Sequence, residues 1–178
     1  MKATGIVRRI DNLGRVVIPR EIRRTLHIRE GDPLEIYTAG GGEVVFKKYS
    51  PIGEMADVAE RMAAALAKKT PYGVAICDQE RYVAAAGAGH AQIVDRKIGS
   101  GMEKVLDTRR SYLRDGGDGV PLTEDDPSRT AAMVLPVIAA GDIAGGVILH
   151  GGEGKAPGEA ERMAAQVAAE FFGKSLEA

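Results

Sequence analysis

The first fifty residues contain only short strand-like pieces, which constrains the fold more than any other feature of the chain. Apolar runs at 6–10 and 16–18 flank Asp-Asn-Leu-Gly at 11–14, a combination that favours a tight turn. A second pair of runs, at 34–37 and 44–46, flanks a glycine-rich turn. Hairpins of this size cannot bury a core alone. The segment therefore either packs on the rest of the chain or intertwines with a second copy of itself.

Between the two predicted hairpins lies a short predicted helix. Pro19 has no N–H for a strand ladder and has a φ suited to a first helical turn, so it ends the second strand. The sequence over 20–28 then places Ile22 and Leu26 four residues apart on one face. The arginines of this helix are expected to lie largely away from that face.

The charge of the chain is balanced in total but divided along its length. The 24 basic and 25 acidic residues give a net charge of −1, which excludes a uniformly basic nucleic-acid coat. Residues 1–50 carry 10 basic and 6 acidic side chains, a net of +4, and residues 51–178 carry 14 and 19, a net of −5. Such an asymmetry points to a nucleic-acid-binding end.

The basic residues of the N-terminal part are mostly arginines concentrated within its first 24 residues. Arginine binds phosphate oxygens, or guanine O6 and N7 in the major groove, in bidentate fashion. A solvated face is the simpler alternative for any charge cluster. The stretch contains no aromatic residue, which disfavours single-stranded or RNA targets that rely on base stacking. The candidate DNA-binding residues are Lys2, Arg8, Arg9, Arg15, Arg20, Arg23 and Arg24.

The stretch MKATGIVRRIDNLGRVVIPREIRRTLHIREGDPLEIY, followed by KKYSP, resembles the AbrB-type DNA-binding domain of bacterial transition-state regulators. The resemblance covers residues 1–51 and implies a β-barrel formed by swapped hairpins of two chains. It also implies double-stranded DNA as the partner. The family's DNA contacts fall on positions occupied here by Arg8, Arg15, Arg23 and Arg24, whereas Lys2, Arg9 and Arg20 are supporting contacts on charge alone.

The remainder of the chain predicts a mixed α+β domain with an antiparallel sheet and helices at both of its ends. Apolar residues repeat at helical spacing from 52 to 66, within a linker helix assigned to 52–70. Strand pairs are predicted around 78–81 and 140–142. A helix is expected over 98–113 and a last helix over about 158–172. The last of these presents Met163, Val167 and Phe171 on one face.

The whole chain is similar to members of this family that regulate sporulation genes and carry a GAF-type domain after a helix. That similarity implies a GAF-like domain over 71–178 that oligomerises and senses a small molecule whose identity the sequence does not give. It also implies that the 52–66 seam and the face of Met163 pair across subunits as a helical bundle, giving a tetramer of two dimers. Packing within one chain is the alternative for the seam.

Enzymatic and metal-binding patterns are weak throughout the sequence. The single cysteine, Cys77, excludes an internal disulfide and does not suit the cysteine chemistry of GAF-like methionine sulfoxide reductases. His90 and His150 have no partners at metal-ligand spacing. The glycine-rich segment at 151–155 stands between a strand and a helix, where either an anion cradle or a tight turn is possible. We expect no catalytic residue, metal or cofactor.

The sequence therefore predicts a DNA-binding transcriptional regulator that acts as a dimer or tetramer in the cytoplasm. No segment has the apolar length of a signal peptide or a membrane span, so no membrane partner is expected. Two alternatives stay open. One is a DNA-binding antitoxin with a toxin-neutralising C-terminus, and the other is a small-molecule enzyme or sensor whose N-terminal part only dimerises.

Overall fold

The computed structural model describes residues 5–26, 28, 30–88 and 92–177. Lys2 and His90, both considered above, lie outside these residues. The chain divides between Tyr49 and Ser50 into two compact units. They are called the N-terminal unit, Met1–Tyr49, and the C-terminal unit, Ser50–Ala178.

The N-terminal unit contains one short helix and one hairpin. Helix α1 spans Arg20–Thr25 and begins after Pro19, as the sequence predicts. Strands β1 (Leu34–Ala39) and β2 (Glu43–Lys48) pair antiparallel in the register Leu34↔Lys48 to Ala39↔Glu43. Gly41 and Gly42 in the connecting turn have φ of 87° and 82°, a conformation that favours glycine.

The predicted first hairpin is present only as its turn. The turn at 11–14 forms, but residues 6–10 and 16–18 are not strands in the single chain. One backbone bond, from Asp11 N to Arg15 O at 3.1 Å, joins the two arms beside the turn. The prediction of two strands here is thus wrong for one chain on its own. The physical reason is that a strand requires a ladder partner, and these arms do not pair with each other.

The C-terminal unit alternates helices with an antiparallel sheet. Its elements are α2 (Pro51–Glu54), α3 (Ala56–Ala67), β3 (Gly73–Cys77), β4 (Tyr82–Ala86), α4 (Ser100–Asp107), β5 (Tyr112–Leu113), β6 (Val120–Pro121), β7 (Thr130–Ala139), β8 (Asp142–His150) and α5 (Glu159–Ser175).

The sheet separates two apolar layers. Its strand order is β4-β3-β8-β7-β5, with β6 paired to β7 beside β5. The first layer packs α3 and α5 on one face, around Ile76, Leu149 and Phe172. The second layer packs α4 and the neighbouring loops on the other face, around Met102 and Ile148. The result is a three-layer α+β domain, in agreement with the predicted fold class.

The seam of α2 and α3 faces the sheet of its own chain. Ile52, Ala59 and Ala63 are fully buried and belong to the same core cluster as Phe172. These residues therefore belong to an intrachain core, the alternative given above. Pairing of the seam across subunits stays a prediction. Helical periodicity shows which face is apolar, whereas the apolar partner of that face depends on the tertiary fold.

The predicted long helix over 98–113 is only half as long in the structure. Helix α4 ends at Asp107, and Arg109 then adopts a positive φ of 58°, which an α-helix does not accommodate. Tyr112 and Leu113 instead pair with Val134 and Met133 of β7. A long-range strand partner overrides the helical pattern here.

Candidate nucleic-acid interface

The turn at 11–15 is built around the carboxylate of Asp11. Its Oδ1 accepts hydrogen bonds from the backbone N–H of Leu13 at 3.0 Å and of Arg15 at 2.8 Å. Gly14 N–H donates to Asp11 O at 3.0 Å, and Gly14 has a φ of +77°. This is the side-chain turn that Asp forms with the backbone that follows it. The sequence Asp-Asn-Leu-Gly fixes the local fold of this exposed loop without a tertiary contact.

The other oxygen of the same carboxylate holds an arginine. Arg15 Nε donates to Asp11 Oδ2 at 2.7 Å, and the Arg15 side chain is 70% exposed. The backbone and side-chain hydrogen bonds from Arg15 lower the pKa of Asp11 below its ordinary value, so the carboxylate is ionised at neutral pH. Sequence reasoning identified Arg15 but missed Asp11 as its partner, although a four-residue spacing across a turn could have indicated it.

Helix α1 presents three of the other candidate arginines. Pro19 is buried and stands at the N-cap, and its carbonyl accepts from Arg23 N at 3.0 Å. Arg23 and Arg24 occupy the last turn, where the negative end of the helix dipole favours cations. Arg20, Arg23 and Arg24 are all exposed, while Ile22 is half-buried. The arginines are therefore exposed as predicted, but only Ile22 of the predicted apolar pair is partly covered, because Leu26 is 52% exposed.

The predicted site residues that the structure describes are all exposed members of the N-terminal unit: Arg8, Arg9, Arg15, Arg20, Arg23 and Arg24. Within the described part of the chain, Arg15 is the one of these six with a carboxylate partner. Five guanidinium groups thus keep their full donor capacity for an external anion. A polyanionic surface is the partner that such a set fits best.

Apolar side chains of the same unit are also exposed in the single chain. Val7 is 88% exposed, Leu13 70% and Val17 71%. Ile36 and Phe46, which lie on the β1–β2 hairpin, are exposed as well. Proteins rarely leave so many apolar side chains in water unless another surface covers them. This unit has an apolar surface that one chain does not satisfy.

A basic residue missed by the sequence analysis lies on β2. Lys47 Nζ stands 4.9 Å from the centre of the Tyr37 ring, a cation–π contact, and Tyr37 Oη donates to Glu35 Oε2 at 2.7 Å. Lys47 comes directly after the apolar run at 44–46 of β2. Its contact with Tyr37 of β1 depends on how the two strands are aligned, which is the register of the hairpin. Pattern alone does not reveal this register.

In the C-terminal unit, the nucleophile considered above is inaccessible. Cys77 is fully buried on β3, and burial raises the pKa of its thiol. The neutral thiol form is a poor nucleophile, so sulfur redox chemistry has no reactive group at this position. His150 is also buried, and burial lowers its pKa to about 4, so its imidazole is neutral at pH 7.

The glycine-rich segment at 151–155 is held by contacts with Arg114 and Tyr72. Arg114 Nη2 donates to Gly151 O at 2.6 Å, and Tyr72 Oη approaches Lys155 O at 3.4 Å. A Cβ on Gly152 would lie 2.1 Å from the Tyr72 ring, so glycine is required by close approach. Gly151 and Gly154 have φ of 80° and 81°, a conformation that favours glycine. The glycines therefore fit a tight turn, the simpler of the two interpretations of the sequence.

Among the residues described, no three His, Cys, Asp or Glu side chains come together as metal ligands. Over the same residues, no helix has the length and apolar character needed to cross a membrane.

Two family models together match most of the chain. The model for the stage V sporulation protein T C-terminal domain, described as a transcription factor, matches residues 54–177. A model for MazE, described as an antidote-toxin recognition family of bacterial antitoxins, matches residues 7–53. The junction of the two matches lies close to the division between the two units.

Relatives of known name agree with these matches. Stage V sporulation protein T of Bacillus subtilis strain 168 is 44% identical over 178 residues, covering 99% of each chain. Transition state regulatory protein AbrB of the same organism is 61% identical over 51 residues, which are 29% of this chain and 52% of that protein.

A solved structure supports the fold of the C-terminal unit. The GAF domain of PixJ from Thermosynechococcus elongatus, in its blue-light absorbing form, matches with a TM-score of 0.56. It is 18% identical, and the match covers 73% of this chain and 89% of that one. This likeness shows a GAF-like fold and nothing about a ligand. With its C-terminal match and its full-length relative, the chain belongs to the stage V sporulation protein T family of transcription factors.

Proposed function

We propose that the chain binds double-stranded DNA as a dimer formed through its N-terminal unit and thereby regulates transcription. The observation that carries this proposal is the set of six exposed arginines on a unit 61% identical to a transition state regulator. Their guanidinium groups bind phosphates along the backbone and guanine edges in the major groove. Phosphate contacts supply most of the affinity, and base contacts supply discrimination.

The individual contacts follow from the resemblance and from exposure. Arg8, Arg15, Arg23 and Arg24 contact the DNA directly, and Lys2, Arg9 and Arg20 strengthen the positive field. A two-fold dimer presents each residue twice, which matches the pseudo-symmetry of a duplex. Each bidentate arginine–guanine contact contributes roughly 1–3 kcal/mol of discrimination.

Dimerisation follows from the exposed apolar residues of the N-terminal unit. Val7 and Val17 lie on the two arms that lack a strand partner within one chain. If the arms of two chains interleave, each arm gains a backbone ladder and the apolar side chains become a shared core. This is the swapped-hairpin barrel expected from the AbrB-type resemblance. It pairs the backbone of the arms and buries their apolar side chains at the same time.

The C-terminal unit sets the higher oligomeric state and senses a small molecule. Helix α5 leaves Met163, Val167 and Phe171 exposed along one side, spaced by four residues. A second C-terminal unit packed on this side produces a tetramer. A ligand that prefers one packing arrangement then changes DNA affinity by the same factor by which DNA changes ligand affinity. We place the protein in the cytoplasm, with sporulation genes as its targets.

An antitoxin function has one observation in its favour, the match of residues 7–53 to the MazE family. The C-terminal unit argues for the regulator instead, since it is a folded three-layer domain whose family is described as a transcription factor. Co-purification of a small toxin with the full-length chain, dependent on residues of the C-terminal unit, would support the antitoxin function.

The decisive variant is Arg23→Ala, measured by gel-shift titration of the full-length protein at fixed, moderate salt. We expect affinity for duplex DNA to fall about tenfold or more, because two guanidinium groups per dimer are removed. Thermal stability should change little, since Arg23 is exposed.

The matched control is Arg61→Ala, which removes the same charge from an exposed position on α3 of the C-terminal unit. It should leave DNA affinity unchanged. Equal affinity of the Arg23 variant and the unaltered protein would refute the assignment of Arg23. Equal losses in both variants would show a nonspecific charge effect instead of a defined interface.

A further inference from the structure

One arginine of the proposed interface differs from the others in being held by a carboxylate. Asp11 Oδ2 accepts from Arg15 Nε at 2.7 Å, while Asp11 Oδ1 accepts from the N–H groups of Leu13 and Arg15. The carboxylate therefore spans the turn and the guanidinium at once. Its backbone bonds fix the carboxylate plane, and the ion pair fixes the guanidinium against that plane.

Arg15 bonds to Asp11 through Nε, and this leaves the other nitrogens of its guanidinium available for DNA. A guanidinium has five N–H donors, and the bond at Nε leaves the outer edge formed by Nη1 and Nη2 available. That outer edge matches the paired acceptors O6 and N7 of guanine. Without a partner, a side chain 70% exposed would sample many rotamers. With Asp11 in place, the planar fork is oriented before DNA arrives.

The same carboxylate discourages the competing contact. A phosphate placed on Arg15 would lie close to the negative charge of Asp11, which opposes it by like-charge repulsion. The edge of guanine carries only partial negative charge and is opposed far less. Asp11 thus costs a little nonspecific affinity and favours base contact over backbone contact.

We propose that Asp11 is a positioning and specificity-determining residue, which orients Arg15 for a guanine edge and disfavours phosphate. The proposal rests on the proposed function, because it assumes that Arg15 contacts DNA. Its distinguishing consequence is that removing the Asp11 charge weakens binding to a preferred sequence and strengthens binding to other sequences. A residue that only stabilises the fold would weaken both.

The test uses Asp11→Asn in the full-length protein. The side-chain oxygen of Asn can still accept from the N–H groups of Leu13 and Arg15, which preserves the turn. The amide nitrogen replaces Oδ2 and faces the Arg15 Nε donor, so the ion pair is lost. The probes are a duplex selected by the unaltered protein from a randomised pool and a shuffled duplex of the same composition.

The matched control is Glu21→Gln, which removes one negative charge from the same basic stretch. Among the described residues, the Glu21 side chain makes no ion pair with an arginine. It should raise affinity for both duplexes by a similar small factor. Circular dichroism and thermal melting of each variant check that the fold is retained.

For Asp11→Asn we expect about a fivefold loss of affinity for the selected duplex and about a twofold gain for the shuffled one, a tenfold loss of discrimination. Arg15→Lys removes the planar fork and should make the Asp11 substitution silent on this ratio. If Asp11→Asn lowers the melting temperature, the Asp11→Asn protein is compared with the double variant that also carries Arg15→Lys. Both proteins then have the same substitution at Asp11, so a difference in discrimination reports on Arg15.

Several results would overturn the inference. Equal losses on both duplexes would assign Asp11 a purely structural role, and an unchanged ratio would show that it does not orient a base contact. An unaltered protein that prefers no sequence would overturn it too. If Arg15→Ala leaves all DNA binding intact, the proposed role of Arg15 fails. If Arg15→Ala abolishes discrimination while Asp11→Asn does not, only the present inference fails.

Discussion

The two units of this chain bury their apolar residues to very different extents. In the C-terminal unit, Ile76, Leu149 and Phe172 lie in a core closed on both sides of the sheet. In the N-terminal unit, Val7 and Val17 are 88% and 71% exposed. One chain therefore supplies a closed core for the C-terminal unit but leaves these apolar side chains of the N-terminal unit uncovered. The proposed dimer would cover them.

The same turn chemistry also serves different ends in the two units. Asp78 accepts from the N–H groups of Glu80 and Arg81, as Asp11 does in its own turn. The spare oxygen of Asp78 is part-buried and receives the hydroxyl of Ser50, whereas the spare oxygen of Asp11 receives an exposed arginine. A turn that anchors packing in one unit holds an exposed arginine in the other.

The largest expected effect comes from two adjacent phenylalanines of α5 that differ in burial. Phe172 is fully buried and Phe171 is 43% exposed, with ring centres 5.6 Å apart. Phe172→Ala should lower the free energy of unfolding of the C-terminal unit by about 3–5 kcal/mol, as for other buried phenylalanines. Phe171→Ala should cost far less in chemical denaturation.

The Phe171→Ala variant also tests assembly, because it changes an exposed side chain and should leave the C-terminal unit folded. If the exposed side of α5 joins C-terminal units, Phe171→Ala should shift the protein from tetramer to dimer in sedimentation velocity while leaving the unit folded. A tetramer that survives this change, and also survives Val167→Glu, would contradict the proposed packing on α5.

An intermediate effect is expected from acidification of the C-terminal unit. His150 has a pKa lowered from 6.5 to about 4, chiefly by burial and secondarily by the charge of Arg129. The unfolded chain binds this proton more readily, so stability is full above pH 6.5 and falls as the pH drops towards 4. By pH 5 the loss should reach about 2 kcal/mol.

The measurement is a denaturation series between pH 7.5 and pH 5, a range above the ordinary pKa values of the carboxylates. His150→Gln should remove most of the slope, because no group then changes charge at this position. A slope that persists unchanged in that variant would assign the pH dependence to another group.

The smallest effect concerns the N-terminal unit and tests whether a second chain covers its exposed apolar side chains. Val17→Ala should change stability by less than about 0.5 kcal/mol if the residue stays as exposed as in one chain. If two chains share a core there, the loss should be about 1 to 2 kcal/mol per chain. The melting temperature of this unit should also rise with protein concentration. Val94→Ala, at an exposed position of the C-terminal unit, is the control.

Local patterns predicted much of the fold and most of the candidate site. The start of α1 at Pro19, the β1–β2 hairpin and the β7–β8 hairpin all follow from residues close together in sequence. The exposure of the arginines on α1 follows from the position of Ile22. These features depend on backbone preferences and periodicity, which a short window of sequence contains.

The errors occur where a distant segment decides the structure. Residues 112–113 have a helical pattern but pair with β7, and residues 6–10 have a strand pattern but no ladder in one chain. The pairing of Arg15 with Asp11 was also missed, because charge counts do not show which oxygen a turn leaves available. In each case the partner, and not the local preference, determines the outcome.

The sequence by itself determined the division of charge, the exposed arginines and the turn that carries Asp11, since all of these depend on residue type and near neighbours. Only the tertiary structure decided that the seam of α2 and α3 closes its own core while Met163 and Phe171 remain uncovered. Both helices carry an apolar stripe, and a stripe does not identify its partner. The sheet has room for one face of each helix, and that geometry sets which apolar residues remain for assembly.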